Sequence, residues 1–406
     1  MTPTILTLNE YEPLEIARNE LSETDAQCIH EIGGGKVRVD SPGPQTHFQW
    51  NLTSLGWVGY LPIRADFGLR LQPRVMLGNL FRMLEYAYNL QSIEFFDRVM
   101  DSSSIHDLYE RLALMLARRV LDRTRRGPYR SYLEREEPLT CIRGRLDVGR
   151  IRSRPWNPAL WCRFEEHSAD VEENQILVRA LSIIARSGLC TERSLPTIRS
   201  AFRTMSGLAS HRPLAAAVCA GRRYNRLNLD YQPMHALCRF FLENSGPSIG
   251  TDGHEMVPFV VSMPLLFEQF VAAWLKVNLP PSRSLRSQHS MSFGDAGDIS
   301  IKIDLLVQDA RSGAPFCVMD TKYKTSSRAV SSDIEQVVAY AVANDCGEAV
   351  LLYPQAIENK LDLIWGSVHV RSLAFDLSGD LDVAGSSILK ELFGTAGSAA
   401  ATPPRR

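Results

Sequence analysis

"FCVMDTKYK", residues 316–324, begins apolar and ends charged. Phe316 to Met319 have the composition of a buried strand. Asp320, Thr321 and Lys322 follow with no turn signal between. Such a strand end has two readings: a salt-bridged terminus, or half of a metal-dependent catalytic site.

The preceding segment bears on the choice. "IKIDLLVQD", residues 301–309, and "PFCVMDTKY" flank the turn-like stretch "DARSGAP". An antiparallel hairpin with residues 309–315 as its loop sets 308 against 316 and 304 against 320. Opposed residues have Cβ atoms about 4.5–5.5 Å apart, so Asp304 and Asp320 become neighbours on one face. Lys322 shares that face, because side chains two apart on a strand point the same way. Two carboxylates pressed together in an apolar sheet repel each other and resist ionisation. A divalent cation removes the conflict, and Mg²⁺ takes one or two carboxylates along with phosphate and water oxygens. The lysine suits a place where charge develops on a phosphate or a hydroxide must be oriented. The set fits phosphodiester hydrolysis. The alternative leaves Asp304 as a strand-edge carboxylate paired with Lys302 or Lys324. Asp295 and Asp298 are rival ligands. Asp298 has the right parity but sits roughly 20 Å further along a strand rising ~3.3 Å per residue, which favours Asp304.

Two helical segments add candidates. In "PLLFEQFVAAWL", Glu268 has Val271 and Ala272 one turn on, and an acid beside an apolar helix face needs a partner. In "DIEQVVAYAV", Gln336 and Tyr340 stand four apart on one face among small apolar residues, placed to hold a metal-bound water or a DNA phosphate. Taken singly, an edge glutamate and simple packing explain them as well.

The chain of 406 residues is long enough for two or three domains. Its 45% hydrophobic and 22% charged content is that of an ordinary globular protein, and a net charge of −1 excludes a global field attracting nucleic acid. Charge is nonetheless local: twelve arginines against five acids between Arg118 and Arg154 leave +7 there. Arg125, Arg126, Arg143 and Arg145 are the candidate contacts to a phosphate backbone or an acidic partner. Solvated faces and internal pairs such as Arg145–Asp147 are the alternative. The eight cysteines form no C-x-x-C pair and sit mostly in apolar runs, which predicts reduced, buried thiols and no Zn or Fe–S cluster. No apolar run reaches the ~18 residues of a membrane span, and no signal-peptide core precedes the fold. The expectation is a cytoplasmic protein.

Periodicity divides the chain into an α+β, multidomain plan. Residues 1–75 read as a β-rich, partner-binding domain of short strands with a few helical turns. Residues 76–255 read as a mainly helical region with a strand insertion, "PLTCIRGRLDVGRI" and "ALWCRFEEHS". Residues 256–380 run helix, three strands, helix, strand, a mixed sheet flanked by helices. Ser331 or Ser332 is the expected N-cap of the second helix. Residues 381–406 close the chain with a small-residue tail expected to be disordered.

Together these residues resemble the PD-(D/E)XK nuclease superfamily, whose core is a helix, an antiparallel three-stranded unit, a helix and a strand. The match is Glu268 on the first helix, Asp304 on the second strand, Asp320-x-Lys322 on the third, and Gln336-xxx-Tyr340 on the following helix. The last element is typical of the RecB-like branch, and Ile303 stands where that superfamily often has proline. The resemblance implies that Asp304, Asp320 and the backbone carbonyl of Thr321 hold Mg²⁺ (or Mn²⁺). It implies that Lys322 assists the attacking water, Glu268 supports a water or second metal, and Gln336 and Tyr340 orient water or phosphate.

Upstream, "GYLPIRADFGLRLQPRVMLGNLFRMLEYAY", "YLEREEPLTCIRGRLDVGR", "CRFEEHSADVEENQILVRAL" and "QVVAYAVANDCGEAVLLYP" are similar to McrC, the nuclease subunit of McrBC modified-cytosine restriction systems. The resemblance runs from about residue 55 to 380. It implies docking on an McrB-like AAA+ GTPase hexamer, stimulation of that GTPase, cleavage of double-stranded DNA in defence against modified or foreign DNA, and McrC–McrC contact in the assembled complex. In agreement, the chain lacks G-x-x-x-x-G-K-[ST]: "EIGGGKV" has no glycine six residues before Lys36 and no hydroxyl after it. The rivals are a non-cleaving adaptor of an AAA+ motor and a stand-alone RecB-like repair nuclease.

Overall fold

Alternating apolar residues in the first seventy positions fold into β1 (Thr4–Asn9), β2 (Pro13–Ile16), β3 (Val37–Asp40), β4 (Trp50–Ser54), β5 (Trp57–Arg64) and β6 (Phe67–Gln72). Between β2 and β3 runs α1 (Glu23–Gly33), capped by Ser22, whose side chain accepts from the Asp25 N–H. Gly34, at φ 50°, ends it. "IGGGK" is thus a left-handed helix stop, a conformation that glycine adopts without the Cβ penalty. This computed structural model describes all residues except 1–3, 65, 91–103, 154–158, 247–248, 252–253, 294–298, 325–327 and 395–406. Asp295, Asp298 and nearly all of the expected tail lie outside the described residues.

The chain divides into two units, residues 1–105 with 260–406, and residues 106–259. Among the described residues there are ten α-helices and five sheets. The first unit also holds α2 (Leu77–Ala87). In the second unit, α3 (Ile105–Arg125) starts at the boundary and is followed by β7 (Ser131–Leu139), β8 (Arg145–Leu146), α4 (Val148–Ser153) and β9 (Leu160–Ser168). Then come α5 (Glu172–Arg186), α6 (Leu195–Ser206), α7 (Tyr231–Asn244) and a small hairpin, β10 (Ile249–Thr251) and β11 (His254–Met256). The expected strand "PLTCIRGRLDVGRI" is strand only at its first two residues and at Arg145–Leu146, and "VGRI" is helical. Asn174 organises this unit: its Nδ2 donates to the carbonyls of Tyr129 and Ala169, and its Oδ1 accepts from the Tyr231 hydroxyl.

β12 (Phe259–Ser262) returns the chain to the first unit, completing the sheet order β1-β6-β5-β12. Next follow α8 (Met263–Asn278), with proline in its first turn, β13 (Arg283–Phe293), β14 (Ile299–Asp309), β15 (Pro315–Thr321), α9 (Ser331–Ala343), β16 (Glu348–Tyr353), β17 (Asp362–Trp365), β18 (Val368–Ala374) and α10 (Leu381–Phe393). The last six strands form one sheet in the order β13-β14-β15-β16-β18-β17. β13, β14 and β15 are antiparallel neighbours, and β15 and β16 are parallel across the α9 crossover. A parallel connection needs such a crossover. "AVLLY" in β16 reads as an unbroken apolar run because it lies inside the sheet.

Leu306, Val318 and Leu351 from the sheet pack with Val337 and Ala341 of α9 in one core cluster. On α8, Phe270 and Trp274 stack edge-on against Phe375, centroids 4.9 and 5.5 Å away. Gly385 of α10 lies so close to Trp274 that a Cβ would sit 2.3 Å from the indole. The N-cap of α9 is Val330 without a side-chain bond, so Ser331 is its first helical residue and neither serine caps it. No described helix is long and apolar enough to cross a membrane. All eight cysteines are free thiols; five are buried and Cys141 is exposed.

Candidate active site

The site lies at the ends of β14 and β15. Leu305 pairs with Met319, Leu306 with Val318 and Val307 with Cys317, so the next step sets Asp304 opposite Asp320. The sequence register therefore holds where the carboxylates are. It slips only near the turn, where a bulge pairs Gln308 with Pro315 instead of Phe316. By the two-residue period, Asp304 and Asp320 share the face of Leu306 and Val318, the one packed on α9.

Asp320 is only 2% exposed. Burial first, then the charge of Asp304, pushes its carboxyl up to about 6, against the pull of Lys322. Its Oδ2 lies 2.6 Å from Lys322 Nζ, which is its charge partner. Asp304 Oδ2 accepts from both the N–H and the hydroxyl of Thr321, each at 2.9 Å. A side chain thus replaces the ladder bond where the two strands part. Neither Lys302 nor Lys324 is an ion-pair partner of Asp304 here; Lys324 goes to Asp333.

Lys322 Nζ donates to Gln336 Oε1 at 2.9 Å, and Gln336 Nε2 donates to the Tyr340 hydroxyl at 2.6 Å. The Gln-xxx-Tyr face of α9 is therefore joined to the β15 end through the lysine. Burial would lower the ammonium's pKa, but its contacts with Asp320, Asp333 and Asp304 outweigh that and raise it, so it is charged at neutral pH.

Glu268 projects from α8 and accepts from Gln288 Nε2 at 3.2 Å. Burial, then the charge of Asp304, holds its carboxyl above the usual range. Gln288 has a left-handed φ of 51° and falls between the Ser287–Leu305 and His289–Ile303 pairs, facing Asp304. Among the described residues, no group of three or more His, Cys, Asp and Glu side chains is arranged to hold a metal ion.

Asp333 is absent from the sequence reading. It sits buried in the first turn of α9, accepts from Lys324 at 2.8 and 2.9 Å, and lies 3.9 Å from Lys322. Its only local signal was an acid at a helix start, common for helix-dipole reasons alone.

In the second unit, Arg125 and Arg126 lie exposed at or just past the end of α3; Arg125 pairs with Asp122 and Arg126 donates to the Asp122 carbonyl. Arg143 stacks over Phe164 at 4.2 Å, and Arg145 is exposed on β8. Asp147 pairs with Arg150 rather than Arg145. Part of the local +7 is offset by acids outside the segment: Arg135 meets Glu166 in the β7-β9-β8 sheet and Arg123 meets Asp230, while Glu134 and Glu136 are shared with Arg163.

The fold defines a mixed α+β protein with a carboxylate–lysine cluster at the end of a six-stranded sheet. A chain of the refined half-complex from the tetradecameric assembly of Thermococcus gammatolerans McrB AAA+ hexamers with bound McrC matches it with TM-score 0.56 and 18% identity, over 96% of this chain and 99% of that one. A chain of the T. gammatolerans McrBC complex matches at TM-score 0.45 and 18% identity, over 68% and 88%. Residues 52–354 match the family described as McrBC 5-methylcytosine restriction system component, and the chain belongs to that family. No curated protein matches.

Proposed function

We propose that this chain is the DNA-cutting subunit of an McrBC-type restriction system: it docks on an McrB-like AAA+ GTPase hexamer in the cytoplasm, stimulates it, and hydrolyses phosphodiester bonds of double-stranded DNA. The observation that carries this is the opposition of Asp304 and Asp320 with Lys322 between them and α9. Family membership and the fold shared with a chain of the McrB–McrC assembly support the partner. The antiparallel β13-β14-β15 unit, the α9 crossover and parallel β16 support a PD-(D/E)XK nuclease fold for residues 256–380, with residues 1–75 facing the partner.

The donor set suits a divalent cation. Two carboxylates are crowded on adjacent strands, and burial together with the charge of Asp304 pushes the Asp320 carboxyl up to about 6 despite Lys322. With only two carboxylates, the remaining ligands would be the Thr321 carbonyl, water and phosphate oxygens, a pattern Mg²⁺ or Mn²⁺ accepts. Bound there, the ion supplies neutralisation of phosphate charge and a more acidic water.

The chain's own groups have separable roles. Asp304 and Asp320 would hold the cation. Lys322 is a charged donor fixed by Gln336, placed to orient the attacking water or stabilise charge on the phosphate. Tyr340 fixes Gln336 in turn. Glu268, kept protonation-prone by burial, would hold a water or a second cation through its position near Asp304.

The test is cleavage of modified and unmodified DNA by the chain with its neighbouring AAA+ protein, nucleotide and Mg²⁺. Asp304→Ala should abolish cutting and Lys322→Ala should reduce it about 10²–10³-fold, while GTPase stimulation persists. Cutting that survives both changes in a folded protein rejects the site. GTPase stimulation by an unaltered chain that never cuts favours the non-cleaving adaptor.

A further inference from the structure

We propose that Glu10 and Tyr323 form a positioning link by which the N-terminal sheet holds the Asp320–Lys322 strand end in place, an inference that rests on the nuclease reading above. Glu10 directly follows β1 and is fully buried. Its N–H donates to the Gln72 carbonyl at 3.1 Å, and it bridges to Ser54, which fixes it between the ends of β6 and β4. Its Oε2 accepts from the Arg74 N–H at 3.3 Å and from the Tyr323 hydroxyl at 3.1 Å.

Tyr323 is the residue after Lys322. Its ring tilts against Phe267, centroids 5.8 Å apart, and Phe267 precedes Glu268 on α8. Its carbonyl lies 3.5 Å from the Tyr11 hydroxyl. The same junction ties down the start of α8, where the Met263 N–H donates to the Gly56 carbonyl at 2.9 Å. Tyr11 also packs on Gly56, where an added Cβ would meet its hydroxyl at 2.4 Å. One tyrosine therefore joins the N-terminal sheet, the helix of Glu268 and the backbone of Lys322.

Simple packing accounts poorly for this arrangement. Glu10 Oε1 is buried with no hydrogen-bond partner. Burial, above all, pushes the carboxyl up to about 7. An apolar pair of the same shape would avoid that desolvation cost. What the hydroxyl–carboxylate contact adds is direction: displacement of the N-terminal sheet pulls on Tyr323 and so on Lys322. Tyr323 is a positioning residue and does not itself meet the phosphate.

The experiment uses the full chain with its AAA+ partner, Mg²⁺ and DNA, comparing Tyr323→Phe, Glu10→Ala, their double variant and Glu10→Gln. Tyr323→Phe and Glu10→Ala should each lower the maximal cutting rate roughly 10- to 100-fold, the cost of a small misplacement at the reacting groups. The DNA concentration giving half-maximal rate should not change. The double variant should be no slower than the single ones, because both remove the same interaction. Glu10→Gln keeps an acceptor for the hydroxyl and should recover most of the rate. Wild-type cutting by Tyr323→Phe, or effects that multiply in the double variant, would overturn the link. Amide hydrogen exchange across residues 318–323 is read in parallel on the chain alone. Faster exchange in Glu10→Ala is expected, and unchanged exchange overturns the link whatever cutting shows. Faster exchange in a protein whose unaltered form never cuts supports the link and rejects the nuclease reading instead.

Discussion

Lys322 Nζ stands 2.6 Å from Oδ2 of Asp320, a carboxylate buried to 2% exposure. The pair compensates a charge that the sheet would otherwise expel. It also leaves the ammonium directed at Gln336 of α9, so strand end and helix act as one site.

Removing the lysine separates chemistry from folding. Lys322→Ala should reduce DNA cutting by about 10²–10³-fold, the usual cost of losing one donor aimed at developing charge. GTPase stimulation of the AAA+ partner should be retained. Cleavage of supercoiled DNA and nucleotide turnover, measured on the same preparation, check this.

The pH dependence of stability follows from two raised carboxyls. Asp320 goes from an ordinary 3.8 to about 6, and Glu10 from 4.5 to about 7. The folded state binds these protons more tightly than the unfolded state does. Their favourable contribution is therefore complete below about pH 4 and lost as pH rises through about 6 and 7. Without metal, Asp320→Asn and Glu10→Gln should flatten the decline in stability between about pH 4 and 8 by about 2 and about 3 kcal/mol respectively, measured by urea unfolding in a chelator. A decline as steep as in the unaltered chain would contradict the assignment.

Mg²⁺ should offset the same repulsion. At one hundred times its dissociation constant, a ligand binding only the folded state adds about 2.7 kcal/mol. Thermal unfolding should shift upward with Mg²⁺ at pH 8 and much less at pH 5, where Asp320 carries a proton. Asp304→Ala should remove the shift.

Asp333 holds the second lysine. Asp333→Asn weakens the paired contacts to Lys324 and the 3.9 Å approach to Lys322. Lys324 is partly exposed, so the stability cost should be only ~1 kcal/mol. Cutting should fall about tenfold as Lys322 loses one of its flanking charges. Denaturant midpoints and single-turnover cleavage rates read the two effects apart.

Gly385→Ala tests the packing of α10 on α8. The new methyl would lie 2.3–2.5 Å from three indole atoms of Trp274 and would strain its 3.1 Å bond to Asp382. Overpacking of this kind costs about 1–3 kcal/mol. Calorimetry should show a lower Tm with cutting retained at permissive temperature.

The sequence by itself determined the register that sets Asp304 against Asp320, the face shared by Lys322, and the Gln336–Tyr340 helix. These rest on periods of two and of 3.6 residues and on one turn length, all local quantities. It also placed β14, β15 and α9 close to their observed bounds. Tertiary structure decided the rest. The Phe316 bulge depends on strand twist near a turn, and the Val330 cap on where α9 meets β15. β7 was missed because "SYLEREEPL" alternates around exposed, mutually paired charges rather than around a buried face. Asp333 and the Glu10–Tyr323 contact join residues 9 and 313 positions apart. Each of those carboxylates has an ordinary local sequence. Their meaning comes from burial and from the partner that folding brings to them, and no local pattern carries either.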